Sequence, residues 1–430
     1  MSASIDFARL ASPIARIFTA MKSVTLLLSL GLVASCGGDT GGVGVGGTGV
    51  GASQMSVNIP ASPPVVTPSI NPPAAVPAIP VTVTGPITGF GSVIVNGVKF
   101  DDSIAAVSRD ATQSSNGSLR LGMTVEIVGT KSADGLTGSA SQIKIFSEIK
   151  GPTQVLVTGA NALSVLGVNV RVDASTVIDG VANLAAIKSG DTVEAYGLRD
   201  PSTGEIIATR IEVEASSTQS SPVSVVLNGT VQSLNVGAKT FVLNGQSVSF
   251  STATVSGSLV ASSVVQVKGT VPSAGGVVNA TLVTVQALAP NNEGQEVEFE
   301  GIVTDYVSSG SFKVASTVID ASSPLLSATQ VAKIKNGARC SVEGKISLGI
   351  LKASELSCES ASTAATSYEV SGAITSFSSA SNFTARNQVI DASAAVFSGG
   401  KLSDLALGKR VHVKGPVVNN VLKAVTLEFE

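Results

Sequence analysis

The chain has no tryptophan, one histidine, three cysteines and three tyrosines in 430 residues, and aromatics make up only 4% of it. Stacking of bases or sugars on a barrel face needs an aromatic platform, and that supply is thin. A single histidine leaves metal binding and nucleophilic catalysis short of their commonest ligand and base. Charged residues are 13%, about half the usual share. A net charge of −3 with no basic stripe excludes the electrostatic footprint of a nucleic-acid binder. No long amphipathic helix pattern appears, nor a phosphate loop, nor a Gly-x-Ser-x-Gly elbow. What dominates instead is Val, Ser, Thr and Gly, the composition of an all-β protein. Its wet faces are rich in Ser, Thr and Asn, as is common outside the cytoplasm.

The pattern is most legible at the end of the chain. In Arg410–Lys414, Val411 and Val413 alternate with Arg410, His412 and Lys414, which is a strand with one buried face. Gly415 and Asn419-Asn420 predict a turn, and Ala424, Leu427 and Phe429 mark the returning strand. The same hairpin recurs with its glycine at Gly129, Gly197, Gly269 and Gly344, each read as ending its strand. Behind each glycine come an alanine and two apolar residues, such as Ala140, Ile143 and Ile145. The odd step of three from that alanine predicts a β-bulge.

Seven residues before the hairpin glycine stands another, at Gly122, Gly190, Gly337 and Gly408, with Ser262 in the third copy. A turn needing positive φ explains it. Further upstream, Asp101, Asp173, Asp320 and Asp391 each precede small polar residues, the signature of an Asx-turn. Each copy opens at a glycine: Gly85, Gly151, Gly229, Gly301 and Gly372. Asn96-Gly97 and Asn244-Gly245 add strong hairpin signals.

The spacing predicts five repeats, at residues 81–148, 149–215, 224–288, 296–359 and 367–430. A period of about 70 residues is long for a solenoid, so each unit is expected to be a small domain with its own core. Such a domain buries only about 60% of its unfolded surface and is marginal unless neighbours or sheet closure help. The short joint Phe146–Lys150 predicts that units one and two pack as a pair. Longer polar joints at 216–224, 289–295 and 360–367 predict mobility between later units.

Ahead of the repeats, Met21-Lys22 begins a better start than Met1, followed by the apolar run Val24–Val33 and small residues up to Cys36. A charged start, a short apolar core and small residues before the cut predict a secretory signal over residues 1–35. The run is too short to span a bilayer, which takes about 20 residues. Small residues directly before Cys36 resemble the bacterial lipoprotein lipobox. That resemblance implies cleavage before Cys36 and lipidation of its thiol and of the new N-terminus. Gly37, where an Asp would imply inner-membrane retention, points to the outer membrane. Residues 36–80 then read as a lipid anchor and a Gly/Pro-rich tether, disordered at its root and stiffer from Pro60 to Pro80. Polyproline II over that stretch would extend roughly 60 Å. Gly42-x-Gly44-x-x-Gly47 mimics a dinucleotide fingerprint, but no strand precedes it and no helix follows.

The opening Gly85-Pro86-Ile87-Thr88-Gly89-Phe90-Gly91-Ser92-Val93-Ile94-Val95-Asn96-Gly97, the Val-x-Val-x-Gly strand and the Ala-x-x-Ile-x-Val strand resemble the bacterial family called domain of unknown function 5666. The resemblance is closest in units one, two and five and looser in three and four. It implies small five-stranded barrels in tandem behind a lipoprotein signal, and it brings no catalytic residues. The residue pattern counts the same five strands per unit, which could close into an OB-like barrel.

Candidate chemical residues are few. Alternation places His412 on the wet face of its strand, as a solvated side chain. Cys340 and Cys358 lie on the two strands of the fourth unit's last hairpin, and read either as a disulfide or as two separate buried thiols. The four recurring aspartates stand one per unit, too far apart for paired acid–base work. Tyr196 points outward from its strand and is the best lone candidate for stacking a ligand, against the plainer reading of a surface tyrosine.

The sequence thus predicts no enzyme, no cofactor and no metal. It predicts an outer-membrane-anchored lipoprotein with a binding or scaffolding role, held to the membrane by its lipid, with a protein or polysaccharide as partner and no nucleic acid. A polysaccharide-binding surface module and an extracytoplasmic enzyme are the alternatives. Ligand, membrane face and oligomeric state are not written in it.

Overall fold

The structure, a computed structural model, describes residues 78–430 apart from residue 111 and segments 158–160, 215–221, 273–275, 287–292 and 360–365. The expected signal segment, Cys36 and nearly all of the tether lie outside the described residues.

Unit one shows the plan. Its five strands are Ile79–Phe90, Val93–Val95, Val98–Asp101, Thr124–Lys131 and Thr137–Ile145. The first pairs with the second and the second with the third, both antiparallel; the third runs parallel to the fifth. The fifth pairs with the fourth, and the fourth returns to the first, closing a barrel in the order 1-2-3-5-4. Units two, three and four close the same way. So does unit five, whose last strand is split into Val421–Lys423 and Thr426–Phe429. The fold is all-β, built of five tandem five-stranded OB-like barrels.

Backbone chemistry explains the recurring landmarks. The turn between second and third strands puts two residues at positive φ in every unit: Asn96-Gly97, Leu166-Gly167, Asn244-Gly245, Ala315-Ser316 and Arg386-Asn387. That is the type I′ geometry whose twist suits a two-residue hairpin. Gly122, Gly190, Gly337 and Gly408 sit at φ of 80 to 89°, and Ser262 takes the same turn at 65°. Each recurring aspartate accepts the backbone N–H two residues on, from Ser103, Ser175, Ser322 or Ser393 at 2.8 to 3.0 Å.

Gly415 ends its strand in unit five, but the other four hairpin glycines do not. In units one to four the strand runs on past a bulge, placed between Val128/Gly129, Tyr196/Gly197, Lys268/Gly269 and Glu343/Gly344. A Cβ at any of these glycines would lie 2.1 to 2.2 Å from a carbonyl oxygen of the paired strand. The glycine is required by close approach at the bulge.

Nor do the opening glycines open their units. Each lies within the first strand, just before that strand changes partner. Residues 79–86 pair with the fourth strand, and from Ile87 the first strand pairs with the second. A strand that divides its pairing leaves each half with one free edge, and neighbouring units use those edges. Val81–Thr84 pairs in parallel with Glu296–Phe299 of unit four, and Gly89–Phe90 with Glu369–Val370 of unit five. Ile149 and Lys150 pair with Leu227 and Val226, joining units two and three.

The expectation of five separate cores is corrected accordingly. Units one and five share one hydrophobic cluster, which also takes in Val177 and Tyr196 of unit two. Units two and three share a second, and only unit four keeps its own. All five barrels fall within one compact unit. Small barrels with little interior gain by burying apolar surface against each other.

Candidate binding recess

Where units one to four meet, the surface folds in to a recess of about 770 Å³. Each barrel contributes the same part of its fold, the glycine of the first strand or the type I′ turn that packs over it. Thr84-Gly85 comes from unit one, Gly167–Asn169 from unit two, Asn228–Thr230 with Asn244-Gly245 from unit three, and Glu300-Gly301 with Ala315-Ser316 from unit four. The last turn of unit two, Pro201–Gly204, forms part of the rim.

The floor is fixed by hydrogen bonds. Asn228 is buried; its amide donates to the Ser147 carbonyl at 2.6 Å, and its oxygen accepts from Gln286 Nε2 at 3.3 Å. Asn244 Nδ2 donates to the Asn228 carbonyl at 2.7 Å, which ties turn to strand. The charges here are matched. Arg199 Nε donates to Glu148 Oε2 at 3.0 Å, and its other nitrogens reach the carbonyls of Gly204 and Glu148. Glu300 is held by Arg339. The walls are therefore polar but close to neutral, with the exposed side chains of Asn169 and Gln232 on the surface. Phe146, half-buried, is the recess's single aromatic residue.

Comparison with known families matches three regions, residues 151–212, 228–284 and 371–428, to the domain of unknown function DUF5666. Three of the five barrels thus match this family's domain, repeated in tandem along the chain. The matched regions are units two, three and five; units one and four close the same barrel in the same strand order. No curated protein and no solved structure matches the chain.

Among the DUF5666 units, Tyr196 departs most from its sequence reading. It does point outward from its own barrel, yet it is fully buried, because unit one lies there. Its hydroxyl donates to Glu194 Oε1 at 2.9 Å and is met by the Arg109 guanidinium. Burial, then the negative charges of Glu194 and Glu212, push the phenol far up, so it stays protonated. Arg109 also pairs with Glu212 at 2.8 Å and Glu194 at 3.1 Å. Arg210, wholly buried, binds Asp179 and Glu212 and donates to the Leu121 carbonyl of unit one and to Asn420 of unit five. Tyr196 is thus a clamp between units, unable to stack a ligand. No sequence signal marked this network, since every member sits at an outward position.

His412 is half-buried where a solvated side chain was expected. Its Nδ1 meets the Ser371 hydroxyl, and Nε2 lies 3.5 Å from Glu369. The four aspartates stay apart, one per barrel; Asp320 and Asp391 each bind a lysine, Lys352 and Lys423. Cys340 and Cys358 are cross-strand partners in unit four and are joined as a disulfide within its core. Cys36 lies outside the described residues. No group of three or more His, Cys, Asp or Glu suited to a metal occurs among the described residues.

Proposed function

We propose that this chain is a non-catalytic, outer-membrane-anchored lipoprotein with a binding or scaffolding role, its barrels acting as one block. The observation that supports a binding role is the recess, since four barrels turn the same structural element toward one polar cavity. Pockets that bind small molecules occur preferentially at such domain junctions. Shared cores and paired edges hold the walls in place, which lowers the ordering cost of binding. Anchoring is supported by the residues before Cys36, and the Gly/Pro-rich stretch after it would hold the block off the membrane.

The test is metabolic labelling with an alkyne-bearing fatty acid, followed by membrane fractionation and protease treatment of intact cells. Wild type is expected to take the label and sediment with outer membranes, and Cys36→Ala to lose both properties. A soluble, unlabelled wild-type protein contradicts the anchor. Protease sensitivity in intact cells separates a surface-facing from a periplasm-facing arrangement.

A further inference from the structure

We propose that the recess between units one to four binds a neutral oligosaccharide. This rests on the reading of the chain as a binding protein and names the ligand of that same site. Four properties of the lining select the class.

Size comes first. About 770 Å³ lies within the usual 300–1,000 Å³ of ligand pockets and accommodates several linked sugars better than an ion or a single small metabolite.

Charge comes second. Arg199 is occupied by Glu148, and Glu300 by Arg339, so a phosphate or carboxylate finds no open cation and an amine no open carboxylate. An anionic or cationic ligand would have to break a partly buried pair, and the charge left behind would go unpaired.

Third is the kind of polar group. Asn169 and Gln232 present exposed amides, and Thr230, Ser202, Thr203 and Ser316 add hydroxyls on the same surface. An amide both donates and accepts, as a sugar hydroxyl does, so the two satisfy each other without any net charge.

The fourth is what the walls lack. A peptide is recognised through pockets for its alternate side chains. Of the apolar lining residues, Val168 and Leu198 are buried, and Val264, Ala315 and Phe146 are dispersed among polar neighbours. A stacked base would need more than the lone ring of Phe146. A ligand polar over its whole surface, its hydroxyls met by the amides and hydroxyls of the lining, fits what remains.

The experiment uses full-length protein in detergent. Short neutral oligosaccharides from α-glucans, β-glucans, mannans and galactans are titrated one class at a time by calorimetry, alongside an anionic oligosaccharide and an uncharged peptide. The expected result is saturable binding of at least one neutral class, weakened about tenfold or more by Asn169→Ala with Gln232→Ala. Both side chains are exposed, so the unfolding midpoint of that variant should not move, and a circular-dichroism melt checks it. Binding of no neutral class, binding unaffected by the double substitution, or tighter binding of the anionic oligosaccharide or the peptide would each overturn the assignment. The fatty-acid labelling of Cys36 reads the anchored role without reference to any sugar, so loss of one reading leaves the other measurable.

Discussion

Units two and three share one apolar cluster, whereas unit four keeps its own and carries a disulfide through it. The two solutions answer the same difficulty. A barrel of some 65 residues has too little interior to be robust, and it can borrow apolar surface from a neighbour or restrain its unfolded chain. Where unit four meets unit one, the contact is polar. Lys131, almost fully buried, binds Glu343 and lies 3.8 Å from Glu296, beside the parallel pairing of Val81–Thr84 with Glu296–Phe299. Polar seams of this kind specify how units fit more than they hold them together. Unit four should therefore unfold on its own, and units two and three together.

The largest expected effect lies in the shared cluster. Leu227 is fully buried on the edge that joins units two and three. Leu227→Ala should cost about 2–5 kcal/mol. In urea denaturation followed by hydrogen exchange, protection should fall in both units at once. A loss confined to unit three would break the comparison.

Next is the disulfide. Cys340 and Cys358 are 18 residues apart, and removing a bridge over so short a loop costs about 3 kcal/mol. Reduction, or Cys340→Ala with Cys358→Ala, should lower the stability of unit four and leave the protection of units two and three unchanged.

A pH effect sharpens the same seam. Glu298 is buried, with one carboxylate oxygen lacking a partner and the other 3.4 Å from Ser341 Oγ. Burial, then the charge of nearby Glu343, pushes its carboxyl up to about 7, against the opposing pull of Lys131. Because the folded state holds this proton more tightly than the unfolded chain, the contribution is fully present below about pH 4.5. It fades as pH rises through 7 and amounts to roughly 3 kcal/mol. Glu298→Gln should flatten unit four's stability between pH 5 and 8. An unchanged slope would place the titration elsewhere, and Glu296, whose carboxyl is pushed up by its hydrogen bond with Glu343, is the next group to test.

The smallest effect belongs to the Asx-turns. Asp320 accepts from Ser322 and pairs with Lys352, and these contacts draw its carboxyl down to about 2. Asp320→Ala should cost at most about 1 kcal/mol at neutral pH, since the group lies near the surface, where solvent screens its charge. That contribution is present above the ordinary carboxylate range and lost as pH falls through 2, as an acid titration of both proteins would show.

Much of each barrel was legible because it rests on local rules. Period-two alternation marked the strands, positive φ marked Gly122 and its counterparts, and Asp101, Asp173, Asp320 and Asp391 announced their turns. The seams were not legible, for a physical reason. Alternation tells which side of its own barrel a residue faces, and it is silent on whether that side meets water or another barrel. Tyr196, Arg210 and Glu298 all face outward, and all are buried. The free half-edges arise only once the first strand divides its pairing at the glycine, which sequence spacing cannot express. The recess stayed hidden for the same reason, because its lining comes from four separate units.

The account depends on first-strand edges locking the barrels into one block. Backbone hydrogen exchange across Val81–Thr84, Ile149–Lys150, Val226–Leu227 and Glu296–Phe299 tests it most directly. The amides there that point away from their own barrel's fourth strand are predicted to be protected until one of the two joined barrels unfolds. Exchange there as fast as at the exposed turn around Gly135 would show five barrels moving separately, and would contradict the account.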